Sequence, residues 1–458
     1  MEDWAAAATH KPLLLRGARQ VGKSWAVRHL GEKFEHFVEI NFEKEPKYAL
    51  LFDGDLNVNR ICASISAMKD QPIVPGKTLL FLDEVQQCPR AIMSLRFFKE
   101  DYPELHVVAA GSLLEFAIQE LPTFGVGRIQ SKYMYPMTFN EFLSAVGHQG
   151  LLTAKQDASP ESPLLQPLHD KLVELFRLYL LVGGMPEVVS KWVETNDFLA
   201  CQEIQDSLLA SYEDDFPKYK KKVDPLLLKT VLRSAAVQVG KKFVLSQVTK
   251  DYKADKIRQA VEMLILAGLL VPVTHTGASG LPLGSDANRD YRKLLLFDSG
   301  LYLRLLDTTF NNAGKMAETI LTASADELVN KGPLAEMVAG LELQRHKSSN
   351  MRHELFYWQR QEKSSTAEVD YLESIDMTIL PVEVKAGTQG GMKSLWIYMR
   401  EKHLHQAIRC SLESFGSFDY SDPLEPGEVR HVNVVPLYAV GDLFVKNTNV
   451  TENGRSFG

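Results

Sequence analysis

The run Gly17-Ala-Arg-Gln-Val-Gly22-Lys23-Ser24 constrains this chain more than any other stretch. It has the form G-x-x-x-x-G-K-[ST], follows the apolar segment LLLR directly and runs into a helical pattern, the context in which such a loop cradles phosphates. Glycines let successive backbone amides curl round an anion, and the following helix adds the positive end of its dipole. In that arrangement Lys23 neutralises the β- and γ-phosphates and Ser24 ligates Mg²⁺. Gly17, Gln20, Val21, Gly22, Lys23, Ser24 and Trp25 are the expected nucleotide-binding residues, and ATP with Mg²⁺ the expected cofactors.

The surroundings agree with that reading. Between residues 13 and 116 short apolar runs (LLLRG, FVEINF, TLLFLDE, LHVVAAGS) alternate with helical stretches, the pattern of a parallel sheet with crossover helices. The run Leu79-Leu-Phe-Leu-Asp83-Glu84 is an apolar strand ending in two acids, as a Walker B strand does in the AAA+ class. Asp83 would hold Mg²⁺ through water and Glu84 would polarise the attacking water. Ser112, after the next strand, has two readings: a sensor of the γ-phosphate, or a cap for the helix that follows. Arg128, behind a glycine-containing loop, is either a finger directed at the phosphates of its own or a neighbouring subunit's nucleotide, or a solvated side chain.

The 458 residues exceed what one compact core accommodates, so several domains are expected. A formal net charge of -7 argues against a uniformly DNA-coating protein while leaving room for a local basic strip. Cys62, Cys88, Cys201 and Cys410 show neither disulfide nor zinc spacing. No apolar run reaches the roughly 18 residues of a membrane span, and no signal-peptide pattern opens the chain; a cytoplasmic protein is expected. The polar stretch GHQGLLTAKQDASPESP reads as a boundary loop. Residues 1–150 are assigned to the P-loop core, 151–230 to a helical lid and 231–310 to a winged helix. A second α/β unit spans 325–445, and a tail 446–458.

Taken together, LLLRGARQVGKS, LFLDEVQQCP, AAGS, GRIQSKYMYPMTFNEFL, YLLVGGMPEVV, LLLFDSGLYLRLL and EVDYLE with PVEVKAG resemble a family of bacterial and archaeal ATP-binding proteins. That family joins an AAA+ ATPase module to a C-terminal nuclease-like domain of unknown function. The resemblance covers most of the chain and implies nucleotide binding and hydrolysis. It also implies an α/β fold: a P-loop AAA+-like parallel sheet with helical lid, winged helix and restriction-nuclease-like C-terminal domain. Two departures stand out. Similar proteins carry an N-terminal helical segment ahead of the first strand that packs on the base, so a weaker adenine contact is expected here. Glu187 follows GGMP where related ATPases carry a basic second sensor.

In the last third, Asp370, Glu383 and Lys385 show the D-x(12)-E-x-K spacing of restriction-type nucleases. Alternation along a strand puts Glu383 and Lys385 on one face, roughly 7 Å apart. Asp370, Glu383 and the Val384 carbonyl would hold Mg²⁺ while Lys385 stabilises charge. Glu336 sits where such folds place a further acid. The plainer alternative is a surface strand with a weak Glu–Lys pair. Lys218 to Lys222, Lys250, Lys253, Lys256 and Arg258 are either the phosphate contacts on DNA or, since EDD precedes the first cluster in an acidic chain, a solvated, salt-bridged surface. The expected partners are ATP, then DNA, a protein partner or further copies of the chain.

Overall fold

The computed structural model describes residues 1–112, 114–121, 127–219, 223–310, 332–360, 367–387 and 391–444. Lys220, Lys221 and Lys222, residues 325–331 at the start of the expected second α/β unit, and the expected tail 446–458 lie outside the described residues. The chain divides into two compact units. Unit 1 comprises Met1–Tyr135, Leu266–Gly268 and Ser348–Arg352, and unit 2 the remainder. Among the described residues no helix is long and apolar enough to cross a membrane, and all four cysteines are buried and free.

Unit 1 is built on β1 (Leu13–Arg16), β2 (His36–Asn41), β3 (Thr78–Asp83), β4 (His106–Ala110) and β5 (Gln130–Tyr133). All are parallel, in the order β2-β3-β4-β1-β5. Alternate residues feed two cores. Leu14, Val38, Ile40, Leu80, Leu82, Val107 and Ala109 pack on the helices Val58–Lys69 and Pro89–Asp101. Leu13, Leu15, Leu79, Phe81, Val108 and Ala110 pack on Val27 and Leu30 of the helix Lys23–Gly31 and on Trp4. A strand covered on both faces must be apolar at every position, which is why TLLFLD is buried throughout. A short helix, Glu2–Ala6, precedes β1; its Trp4 indole donates to the Lys11 carbonyl at 2.8 Å and meets the His10 and His106 rings edge-on. Strand β5 was not legible from its polar sequence QSKY. Its edge is covered by Ser349, whose carbonyl accepts the Tyr133 amide at 2.8 Å, and by Asn350, which accepts the Gln130 side-chain amide at 3.2 Å.

Unit 2 carries an eight-stranded mixed sheet: β6 (Leu270–His275), β7 (Asn288–Leu296), β8 (Leu355–Gln359), β9 (Glu368–Ile375), β10 (Thr378–Val384), β11 (Gln406–Ser411), β12 (Gly416–Ser421) and β13 (Val429–Pro436). Their order is β12-β13-β11-β10-β9-β8-β6-β7. The helix Lys393–Glu401 seals one face through Leu395, Tyr398 and Met399. Helices Gln166–Val182, Pro186–Thr195, Phe198–Asp215 and Pro225–Val237 occupy the segment read as a lid, and they belong to this unit. The segment read as a winged helix has the anticipated helix Ala254–Leu266 followed by the hairpin β6–β7. That hairpin is no free wing, since β6 pairs in parallel with β8 and continues the sheet.

The polar stretch read as a loop contains the helix Gln149–Asp157. Its sequence, QGLLTAKQD, lacks proline after its first turn, and it buries Leu152 together with Lys155, which pairs with Asp442. Three of the most specific motif pieces meet in one buried node. In GGMPE the Gly184 amide donates to Asp298 of LLLFDSG at 2.7 Å, and its carbonyl accepts the Met137 amide of YPMTFNEF at 2.7 Å. A Cβ on Gly184 would stand 2.1 Å from the Met137 carbonyl oxygen, so only glycine permits this approach. The Tyr179 hydroxyl lies within hydrogen-bond distance of two acceptors in the same node, Met137 O (2.8 Å) and Glu342 (3.1 Å), to one of which its single proton is donated. Buried backbone polar groups need partners, and these residues supply them.

Candidate functional site

The phosphate loop begins where β1 ends. Gly17 has φ +142°, and a Cβ there would lie 2.1 Å from the Met134 carbonyl oxygen, so the first glycine of the motif is required by close backbone approach. Gln20 (φ +63°) and Gly22 (φ +93°) are also left-handed. The helix Lys23–Gly31 opens with no side chain capping its first amides. Those amides, with the loop, form a concave set of donors suited to an anion.

Lys23 is buried, and its Nζ donates to the carbonyls of Gly17 (3.0 Å) and Ala18 (2.6 Å). Burial pushes its pKa down to about 8, against the pull of Glu84 and Asp83. Across the strand ends, the Ser24 hydroxyl lies 3.1 and 3.0 Å from the two Asp83 carboxylate oxygens. Asn41, opposite Asp83 in the β2–β3 register, donates to it at 3.2 Å, and the Glu84 amide does so at 3.0 Å. Burial, reinforced by Glu84, raises the Asp83 pKa. Glu84 has φ +50°, and its carboxylate accepts from Ser112 at 3.3 Å and from the Gln86 side-chain amide. At the end of β1, Arg16 forms a two-pronged pair with Glu115 and lies 5.0 Å from the Tyr133 ring centroid.

Lys23, Ser24, Asp83, Glu84 and Ser112 thus meet at the carboxyl edge of the sheet, as expected for open parallel sheets. Asn41, Gln86, Arg16 and Glu115 were missed. A polar side chain at the end of an apolar strand was the available signal for Asn41. Trp25 lies in the first turn of the helix Lys23–Gly31; its side chain is 70% exposed and stacks on His29. Arg128 is corrected. It precedes β5, whose Gln130 pairs with Leu13 at the start of β1. That is the opposite edge of the sheet from the loop, about 13 Å away over four residues, and Arg128 pairs there with Glu100. It cannot serve its own chain's phosphates. The residues present fit ATP and Mg²⁺: uncapped amides and an ammonium face one another across the loop, and a hydroxyl and a carboxylate share one hard-ligand corner.

The C-terminal acids also come together. Asp370, on β9, accepts the Val384 amide at 2.8 Å, and Lys385 donates to Glu383 at 2.6 Å. Glu336, from the helix Gly332–Arg345, approaches the same place, and so does Glu368, which sequence reading overlooked. Burial and the Asp370 charge raise the pKa of Glu383, while burial raises that of Glu336 against the opposing pull of Lys293. The expected Mg²⁺ does not fit this set. Lys293, also unforeseen, sends its ammonium among Glu336, Glu368 and Asp370. Among the described residues no group of three or more His, Cys, Asp or Glu side chains could hold a metal ion. Lys293 opens the apolar end of β7 (KLLL), and a lysine at a buried strand position was the signal available.

Of the residues read as DNA contacts, Lys218 pairs with Asp215 at 2.8 Å and Arg258 with Asp255 at 3.0 Å, whereas Lys250, Lys253 and Lys256 are exposed.

Residues 9–143 match the family described as "AAA domain", residues 173–312 a domain of unknown function (DUF8612), and residues 331–415 another (DUF4143). No curated protein matches the chain. Among solved structures, a Walker-type ATPase of Pyrococcus abyssi is similar at 14% identity and TM-score 0.41, over 64% of this chain and 90% of its own. The S. cerevisiae Hsp104–ADP complex is similar at 11% identity and TM-score 0.25, over 58% and 37%. With the phosphate loop, the Walker B acids and the parallel sheet in place, the amino-terminal part of this chain is an AAA-like ATPase module of the nucleotide-binding kind.

Proposed function

We propose that this protein hydrolyses ATP with Mg²⁺ at the phosphate loop and couples that cycle to a nuclease-like C-terminal unit that binds DNA or a protein partner without cutting. The observation that carries the first half is the Ser24–Asp83 contact at 3.0 Å beside Glu84. Lys23 pairs with the β- and γ-phosphates, and the amides from Gly17 to Ser24 orient them. Ser24 and Asp83 hold Mg²⁺, which supplies neutralisation of phosphate charge. Glu84 accepts the proton of the attacking water, held in position by Ser112 and Gln86.

ATP turnover and nucleotide binding in two variants test this. Lys23→Ala should lose tight binding. Glu84→Gln should keep binding and lose roughly 10²–10⁴-fold in turnover, the range for a removed general base. Undiminished hydrolysis by Lys23→Ala would overturn the assignment.

The ammonium of Lys293 inside the acidic cluster favours binding over cleavage in the C-terminal unit. Labelled single- and double-stranded DNA incubated with Mg²⁺ or Mn²⁺, with and without ATP, should stay intact. Cutting that disappears in Lys385→Ala would restore the nuclease reading.

A further inference from the structure

Three carboxylates from two elements of unit 2 converge on one amine. Lys293 of β7 has a fully buried side chain, and its Nζ lies 2.8 Å from Glu336 on the helix Gly332–Arg345. It pairs with Glu368 of β9 and stands 3.8 Å from Asp370 on the same strand. The Tyr357 ring, its centroid 5.1 Å from Nζ, adds a further surface that favours a cation. The remaining oxygens nearby are largely engaged, since Asp370 also accepts the Val384 amide and Glu383 accepts Lys385.

A divalent ion needs several oxygens at about 2.0–2.6 Å around one point. Here the ammonium stands among these oxygens, donating to Glu336 and pairing with Glu368, oxygens a metal would otherwise draw in. A charged lysine buried this completely is stabilised by the carboxylates that face it, and a cation among carboxylates gathered this closely relieves their mutual repulsion. Each half of the arrangement therefore stabilises the other. The buried Glu383 oxygen Oε2 has no hydrogen-bond partner, so it is an acceptor that Lys293 and Lys385 do not satisfy.

We propose that Lys293 is a resident cation that takes the place of a divalent metal in the C-terminal acidic centre, so that the centre is complete without metal and becomes a metal site when Lys293 is removed. The inference deepens the non-cleaving reading of unit 2 and rests on it, whereas the ATPase reading stands apart from it.

The test is Mn²⁺ titration of the full chain without nucleotide, followed by electron paramagnetic resonance and by thermal unfolding. Wild type, Lys293→Ala, the milder Lys293→Gln, Asp370→Asn and Lys293→Ala/Asp370→Asn are compared. The expected result is a Mn²⁺ site in Lys293→Ala or Lys293→Gln at least tenfold tighter than any in wild type. That site should be absent from the double variant, and its occupation should raise the variant's Tm while wild-type Tm stays unchanged. A wild-type Mn²⁺ site that vanishes in Asp370→Asn overturns the proposal. So do folded Lys293 variants that gain no site. Should neither variant fold, with or without Mn²⁺, the wild-type titration decides: no site lost in Asp370→Asn supports the proposal, and such a site overturns it. DNA cutting by wild type would defeat the non-cleaving reading separately, and ATP hydrolysis would persist in every variant.

Discussion

Lys23 stands under two opposed demands, because burial disfavours the ammonium that phosphate recognition needs. Its pKa in the folded protein is lowered to about 8, so the charged form prevails below that pH and is lost above it. Affinity for ATP should be full near pH 7 and weaken above pH 8 by up to about tenfold per pH unit, until the higher pKa of the complex is reached. Fluorescent-nucleotide titrations between pH 6.5 and 9.5 measure this. Lys23→Arg, charged throughout, should bind more weakly but without the alkaline fall; a flat wild-type profile would contradict the argument. The loop itself was legible because its glycines, lysine and serine are contiguous and their conformation is local. Asn41 and Gln86 were not, since what makes Asn41 functional is its register against Asp83, 42 residues away. Lys293 was hidden for the same reason: β7 reaches Glu368 and Asp370 of β9 only through a sheet whose order no local pattern reveals.

Among the elements, apolar periodicity gave the buried strands β1 to β4 and the helix Ala254–Leu266, whereas β5 and the helix Gln149–Asp157 escaped it. In the first, polar side chains line an edge covered by Ser349 and Asn350; in the second, good helix formers sit among turn residues. The motif pieces YPMTFNEF, GGMPE and LLLFDSG are tied together through Gly184. The helix Ala254–Leu266 is preceded by exposed Lys250 and Lys253 and carries exposed Lys256 in its first turn, while its Arg258 is already engaged by Asp255. If this element meets DNA, the triple change of those lysines to alanine should lower affinity for all sequences alike. It should also reduce the slope of log K against log salt by about 0.9 per lysine. Binding curves at several salt concentrations read both, and an unchanged slope would remove the helix from the interface.

At the scale of the whole molecule, the ATPase unit is not one stretch of chain. Its β5 edge is completed by residues 348–352, where Ser349 and Asn350 accept bonds from Gln130, Lys132 and Tyr133 that the segment ending at Tyr135 does not satisfy itself. A chain cut back to residues 1–143 should therefore present β5 as an open edge and self-associate, as unpaired strands do. Light scattering of that fragment against the full chain measures it; a stable monomer would show the added segment to be dispensable.

The chain changes unit at 135/136, 265/266, 268/269, 347/348 and 352/353. No contiguous run shorter than residues 1–352 holds all of unit 1. Genetic exchange moves contiguous runs, so this ATPase cannot be gained, lost or traded as a cassette at a single crossover. Any run that carries all of unit 1 carries residues 136–265 and 269–347 of unit 2 with it.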